Sequence, residues 1–182
     1  MPSLFDKISR EMTAANIRPR TDAARAWLGD KIGRLRIPSD RSNILNDANR
    51  ISPKAFIGRM YFYSYDPKTK DTLPVYDKFP LVIPMEMYSD GFLALNLHYL
   101  DPYNRLALLD KLLDFANNDK YNDSTRLNLS YDLLTRSRRY KLIEPCIKRY
   151  LLNHIRSSLI YIEPMHWETA IFLPTAKMVY KT

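Results

Sequence analysis

The hydrophobic period of this chain changes once, at Phe56, and that change limits the fold more than any other feature. Before it, Ala23, Ala24, Trp27, Leu28, Ile32 and Leu35 recur at helical spacing, with Arg25, Lys31 and Arg34 off the stripe. After it, Phe56, Gly58, Met60 and Phe62 alternate with Ile57, Arg59, Tyr61 and Tyr63, the period of two that a pleated strand imposes. A chain that passes from helical to strand periodicity in this way predicts an α+β fold.

Boundaries follow from caps and breakers. Ser3 and Asp6 have capping-box spacing and predict a first helix from about Leu4 to Ala15. A second helix begins at Thr21 or Asp22, weakens at Gly33 and ends at Pro38. Residues 41–52, rich in Asn, Asp and Ser, lack an apolar period and read as a linker that orders on a partner. Strands are predicted from Phe56, from Phe79 to Met87, and from Phe92 to Leu97 after the turn Ser89-Asp90-Gly91. Pro80 and Pro84 favour an edge or bulged position for the second of these. Together they predict a three-stranded antiparallel meander, curled like a small barrel and packed with helices. The expected division is a basic helical arm and linker over 1–54 and a core domain over 55–182.

Further on, Asp101-Pro102 opens a helix with Leu106, Leu109, Leu112, Leu113 and Phe115 as its inner stripe. Asn117 to Thr125 reads as a polar loop, and Leu127, Leu129 and Tyr131 suit a strand while Leu133 and Leu134 suit a helix equally. Pro145 predicts another helix, with Ile147, Leu151, Leu152 and Ile155 inward and Lys148, Arg149 and Arg156 outward. Leu159 to Ile162 reads as a strand, Pro164 opens a turn or short helix to Phe172, and Pro174 starts a tail.

Composition narrows the chemistry. No apolar run is long enough for a membrane span, and the opening residues lack the order of a signal peptide, so a cytoplasmic site of synthesis and no membrane partner are expected. Cys146 is the sole cysteine and reads as a small buried hydrophobe. His98, His154 and His166 are never four residues apart, so no pair shares a helical face for zinc, and each reads as structural. Asp66, Asp71, Asp77, Glu86, Asp90 and Asp101 cluster mid-chain, but metal-dependent nucleases carry an acid-x-Lys triplet on a strand, whereas Glu86 is followed by Met87-Tyr88 and Asp66, Asp71 and Asp90 sit in turns. The four glycines are too scattered for a phosphate-cradling loop. The expectation is a protein that is not an enzyme and carries no cofactor or metal.

Charge points toward a partner instead. Lys and Arg outnumber Asp and Glu twelve to six over 1–60 and nine to three over 136–182, and are outnumbered eleven to seven between. Basic ends suit phosphates or an acidic protein surface. Arg136, Arg138, Arg139, Lys141, Lys148, Arg149 and Arg156, interleaved with Tyr140 and Tyr150, form the densest group, and Arg25 and Arg34 add a second. Guanidinium groups bind phosphates bidentately and tyrosines stack, but no helix-turn-helix or zinc-finger pattern implies base reading. A solvated helix flank beside a basic loop explains the same residues equally well.

The blocks Phe62 to Met87, Gly91 to Arg105, Glu144 to Ser157 and Glu168 to Met178 resemble a family of small virion proteins from large contractile-tailed bacteriophages, over about residues 55–178. The resemblance implies a structural part of the particle, in the tail, baseplate or neck or at the packaged DNA end, with no catalytic residue to carry over. It also implies other virion proteins as partners and several copies in a symmetric assembly. The first expectation is therefore a virion structural component acting through protein contacts. The second is a DNA-binding protein, indifferent to sequence, that protects DNA termini. The third is a metal-dependent nuclease.

Overall fold

Ser3 caps as its spacing predicts. In the computed structural model, which describes residues 2–35, 37–116, 120, 122, 132, 136 and 141–182, its hydroxyl accepts from Asp6 N (3.1 Å), and the Asp6 carboxylate accepts from Ser3 N (3.2 Å). Helix α1 (Leu4–Ala14) follows, burying Phe5, Ile8 and Met12. Helix α2 (Asp22–Ile32) is capped by the Thr21 hydroxyl, which accepts from Ala24 N (3.1 Å). It buries Ala24, Leu28 and Ile32 and closes at Gly33, ahead of Pro38.

Pro38 instead lies in the first turn of α3 (Ile37–Leu45), where its missing N–H forfeits no hydrogen bond. The linker expected over 41–52 is thus corrected, for α3 buries Ile44 and leads through a 3-10 turn, Ala48–Arg50, into strand β1 (Ile51–Ser52). The segment is held by charge, which an apolar-period reading overlooks. Arg50 is 6% exposed, pairs with Asp47 (3.0 Å), Asp6 (3.2 Å) and Glu163, and lies over the Phe5 ring (5.2 Å).

The remaining strands are β2 (Met60–Phe62), β3 (Val75–Asp77), β4 (Leu81–Tyr88), β5 (Gly91–Asn96), β6 (Ile147–Leu151), β7 (Leu159–Ile162) and β8 (Met178–Tyr180). Six form an antiparallel sheet in the order β1-β7-β2-β4-β5-β6, and β3 pairs with β8 in a separate ribbon. The α+β class holds. The expected meander is present as β2-β4-β5, but it is the middle of a larger sheet that runs from one edge strand to another without closing. β2 begins at Met60 rather than Phe56 because Gly58, at φ 78°, turns the chain and donates to the Pro84 carbonyl (3.0 Å). Pro84 marks a register shift, as its missing donor requires, yet β4 is an interior strand between β2 and β5.

The helix expected from Pro145 is overturned. Pro145 sits in a 3-10 turn, Glu144–Cys146, and the next five residues pair with β5 as β6. A helix would have put Tyr150 among the polar residues, whereas the strand's alternation buries it. The tail expected after Pro174 likewise contains β8. The alternating residues Leu127, Leu129 and Tyr131 and most of the 117–125 loop lie outside the described residues.

Strand alternation gives the sheet two buried faces. Met60, Phe62, Leu81, Ile83 and Leu95 share a cluster with Phe5, Ile8, Leu28, Ile32, Leu109 on α4 (Pro102–Ala116) and Trp167 on α5 (Trp167–Phe172). Tyr61, Tyr63, Tyr65, Val82, Phe92, Ala94 and Tyr150 fill the other face. Tyr63 meets Tyr150 edge to face at 5.7 Å, and Tyr65 meets it at 4.9 Å. The sheet therefore curls far enough for the extension of β2 to reach β6, and Tyr65 forms a bridge with Ile155. Gly91 is needed where β5 passes β6, since a Cβ there would strike the Tyr150 carbonyl.

Candidate nucleic-acid interface

β6 is the end strand of the sheet, and across from it run the 67–76 turn and the β3 strand. Between them lies a cavity of about 330 Å³, lined by Tyr65, Lys68, Leu73, Tyr76, Asp77, Tyr99, Lys148 and Arg149. A second, shallower depression of about 380 Å³ shares Lys68 and Leu151 with it and continues past Ser89, Asp90 and His154. The two make one groove along the sheet edge, with tyrosines at one end and polar residues at the other.

The cations of this groove are presented by strand geometry. The ammonium group of Lys148 lies 4.6 Å from the Tyr99 ring, and Lys68 is exposed in its turn. Neither forms an ion pair among the described residues. Arg149 lies over the Tyr88 ring at 4.1 Å and pairs with Asp90 at the hairpin tip. Burial and the nearby Asp77 charge push the Tyr99 phenol up to about 12, so it remains a neutral hydrogen-bonding group at neutral pH.

Asp77 forms the floor. Its Oδ2 lies 2.6 Å from His98 Nδ1 and accepts from Asn96 Nδ2 (3.2 Å), and its Oδ1 accepts from the backbone N–H of Phe79 (3.0 Å) and Lys177 (3.2 Å). Burial raises the pKa of this carboxyl, but the His98 hydrogen bond and charge, with the Phe79 and Asn96 donors, outweigh it and leave the group below its usual range. The Thr175 hydroxyl lies 3.3 Å from His98 Nε2, completing a hydroxyl–imidazole–carboxylate chain like that of a hydrolase triad. The hydroxyl is on a buried residue, and the His98 and Asp77 side chains are each 1% exposed. The chain of bonds braces β3 against β5 and the segment leading to β8.

Arg25 is paired with Asp110 and with Glu168 (3.5 Å), and Arg34 with Asp30 (2.9 Å) one helical turn away. Arg156 is 3.8 Å from Asp66 at the far side of the 66–70 turn. Arg136 and Lys141 are exposed. Arg138 and Arg139 lie outside the described residues. Among the described residues, Lys148 and Arg149 are thus the two of the expected group that line the cavity. Lys68, Tyr76 and Tyr99 were not singled out in the sequence, because the 67–70 turn, β3 and the Leu97–Tyr99 turn that carry them meet only in the fold.

The remaining chemical candidates have structural surroundings. Burial raises the pKa of Cys146, which suppresses its thiolate. His154 Nδ1 lies 2.9 Å from the Asp66 carbonyl, and His166 is buried against Ser9 and Phe5. Among the described residues no group of three or more His, Cys, Asp or Glu side chains is placed to hold a metal ion, and no helix is long and apolar enough to cross a membrane. No curated protein and no solved structure matches the chain. A family model does match, over residues 42–182, and its description is Phage T4 terminal DNA protecting protein.

Proposed function

Because this chain belongs to the phage T4 terminal DNA protecting protein family, we propose that it covers the ends of linear duplex DNA and shields them without cutting them. The observation that carries this reading is the groove beside β6, where Lys68, Lys148 and Arg149 stand next to Tyr76 and Tyr99. Phosphate-binding cations give affinity for any nucleic acid, and they fix position without reading sequence. A recessed tyrosine-lined cavity suits a strand terminus, which is free to enter it, better than the uninterrupted side of a duplex. Protection of this kind is steric, and the hydroxyl–imidazole–carboxylate chain, with the His98 and Asp77 side chains each 1% exposed, takes a bracing role in this reading. A place in the tail, baseplate or neck, the first expectation from the sequence, has no support in the family match; protection of DNA termini, the second, has. The protein then acts on phage DNA, in the particle or in the infected cell.

The test compares linear duplex with closed-circular duplex of the same sequence at low and high salt, and measures digestion of the linear form by an exonuclease. Tight, salt-sensitive binding that favours the linear form, together with slowed digestion, is the expected result. Lys148→Ala should flatten the dependence of log affinity on log salt by about one phosphate contact, roughly 0.9 in slope. Equal affinity for circle and linear forms would reject the proposal.

A further inference from the structure

We infer that the cavity beside β6 holds one unpaired nucleotide at the end of a DNA strand, its base among the tyrosines and its phosphate on Lys148 and Lys68. This deepens the end-binding reading and rests on it. At about 330 Å³ the cavity lies at the small end of the roughly 300–1,000 Å³ range of ligand pockets, room for one base with its sugar and none for a base pair. Tyr76 and Tyr99 are half-buried lining residues, aromatic side chains of the kind on which bases stack. Lys148 is held by the Tyr99 ring at 4.6 Å rather than by a carboxylate, so a phosphate meets a cation whose charge is not already neutralised. Among the described residues, the one carboxylate in the wall, Asp77, is turned onto His98, Asn96 and two backbone N–H groups. Its acceptor capacity is largely consumed there, and its repulsion of a phosphate is reduced by those donors.

The neighbouring depression sets the direction of the strand. It meets the cavity at Lys68 and Leu151 and continues past Ser89, Asn153 and His154. A strand whose last nucleotide is seated in the cavity leaves across Lys68 and runs along this shelf. The duplex begins beyond it. A terminus that already has unpaired nucleotides enters without cost, whereas a blunt end must first fray, losing its terminal stacking and pairing. The site therefore favours overhanging over blunt ends, and a free deoxynucleoside monophosphate carries enough of the same chemistry to occupy it.

The experiment uses the full chain and three labelled DNAs of one sequence: a blunt duplex, a duplex with a short single-stranded overhang of either polarity, and a closed circle. Deoxyadenosine monophosphate and deoxyadenosine serve as competitors. The expected result is about tenfold tighter binding of the overhang than of the blunt end, the equivalent of one stacked base. The monophosphate should displace the overhang and the nucleoside should not. Tyr76→Ala should weaken overhang binding about tenfold, and Tyr103→Ala, on the exposed face of α4, should leave it unchanged. Equal binding of blunt and overhanging ends without competition by the monophosphate overturns the single-nucleotide cavity and leaves end protection standing. Equal binding of all three DNAs removes both. If Tyr76→Ala proves unfolded by circular dichroism, Lys68→Ala, exposed in a turn, takes its place with the same expected loss.

Discussion

His166 shows how one side chain ties stability to pH. It is buried beside the Phe5 ring, with Ser9 Oγ 3.2 Å from Nδ1 and an Asp6 oxygen 3.8 Å from Nε2. Burial, and then the Arg50 charge, push its pKa down to about 4 against the pull of Asp6. Between about 6.5, where the unfolded chain's imidazole titrates, and about 4, the unfolded state binds a proton that the folded state refuses. Stability from this group is therefore complete above that window and falls as pH drops through it, by on the order of 3 kcal/mol. The urea midpoint should fall between pH 7 and pH 5, before most carboxylates titrate, and His166→Gln should flatten that fall. A midpoint that does not move over this range contradicts the assignment. At this scale the sequence was readable where the signal is local: Ser3, Thr21 and Asp101 cap as their spacing implies, Asp101 accepting from Asn104 N (3.1 Å). Arg50 was not readable, since its partners Asp6 and Glu163 come from distant parts of the chain.

Among the elements, β6 and β8 were the hardest to foresee, for related reasons. Ile147, Leu151 and Ile155 satisfy helical spacing, and only a neighbouring strand decides between the periods; β5 supplies it through five paired positions. β8 has three residues and one partner, too short for any pattern to announce. Its role nonetheless exceeds its length. It pairs with β3, which carries Tyr76 and Asp77 into the cavity wall, and the chain leading to it supplies Thr175 to His98 and Lys177 N to Asp77. Removing residues 174–182 should abolish preferential binding of linear DNA by at least tenfold while far-ultraviolet circular dichroism stays close to that of the full chain. Retained end preference in the shortened chain would show that the β3 wall does not need its partner strand.

For the molecule as a whole, the helices before Phe56 share a buried cluster with the sheet. Phe5, Ile8, Leu28 and Ile32 pack in the same cluster as Trp167 and Ile171, and each large side chain so buried contributes roughly 1.5–3 kcal/mol. Deleting residues 2–34 should therefore lower the melting temperature by more than ten degrees or prevent folding, as thermal denaturation would record. A shortened chain that melts like the full one would establish the separable arm expected from the sequence. The α+β class was legible because the period change is a long-range pattern carried by many residues. The groove was not, because its tyrosines and lysines come together only after the sheet has curled. That curl has a consequence in time. β3 meets β8 across some hundred intervening residues, Val75 opposite Tyr180, whereas the hairpin from β4 to β5 needs only a two-residue turn. Closing the longer loop costs more entropy and forms contacts of high sequence separation, which are made late. During refolding, then, the β4–β5 hairpin forms first, and the groove comes into being only with the long-range pairings, β3 with β8 and β7 with β1 and β2, that each span about a hundred residues.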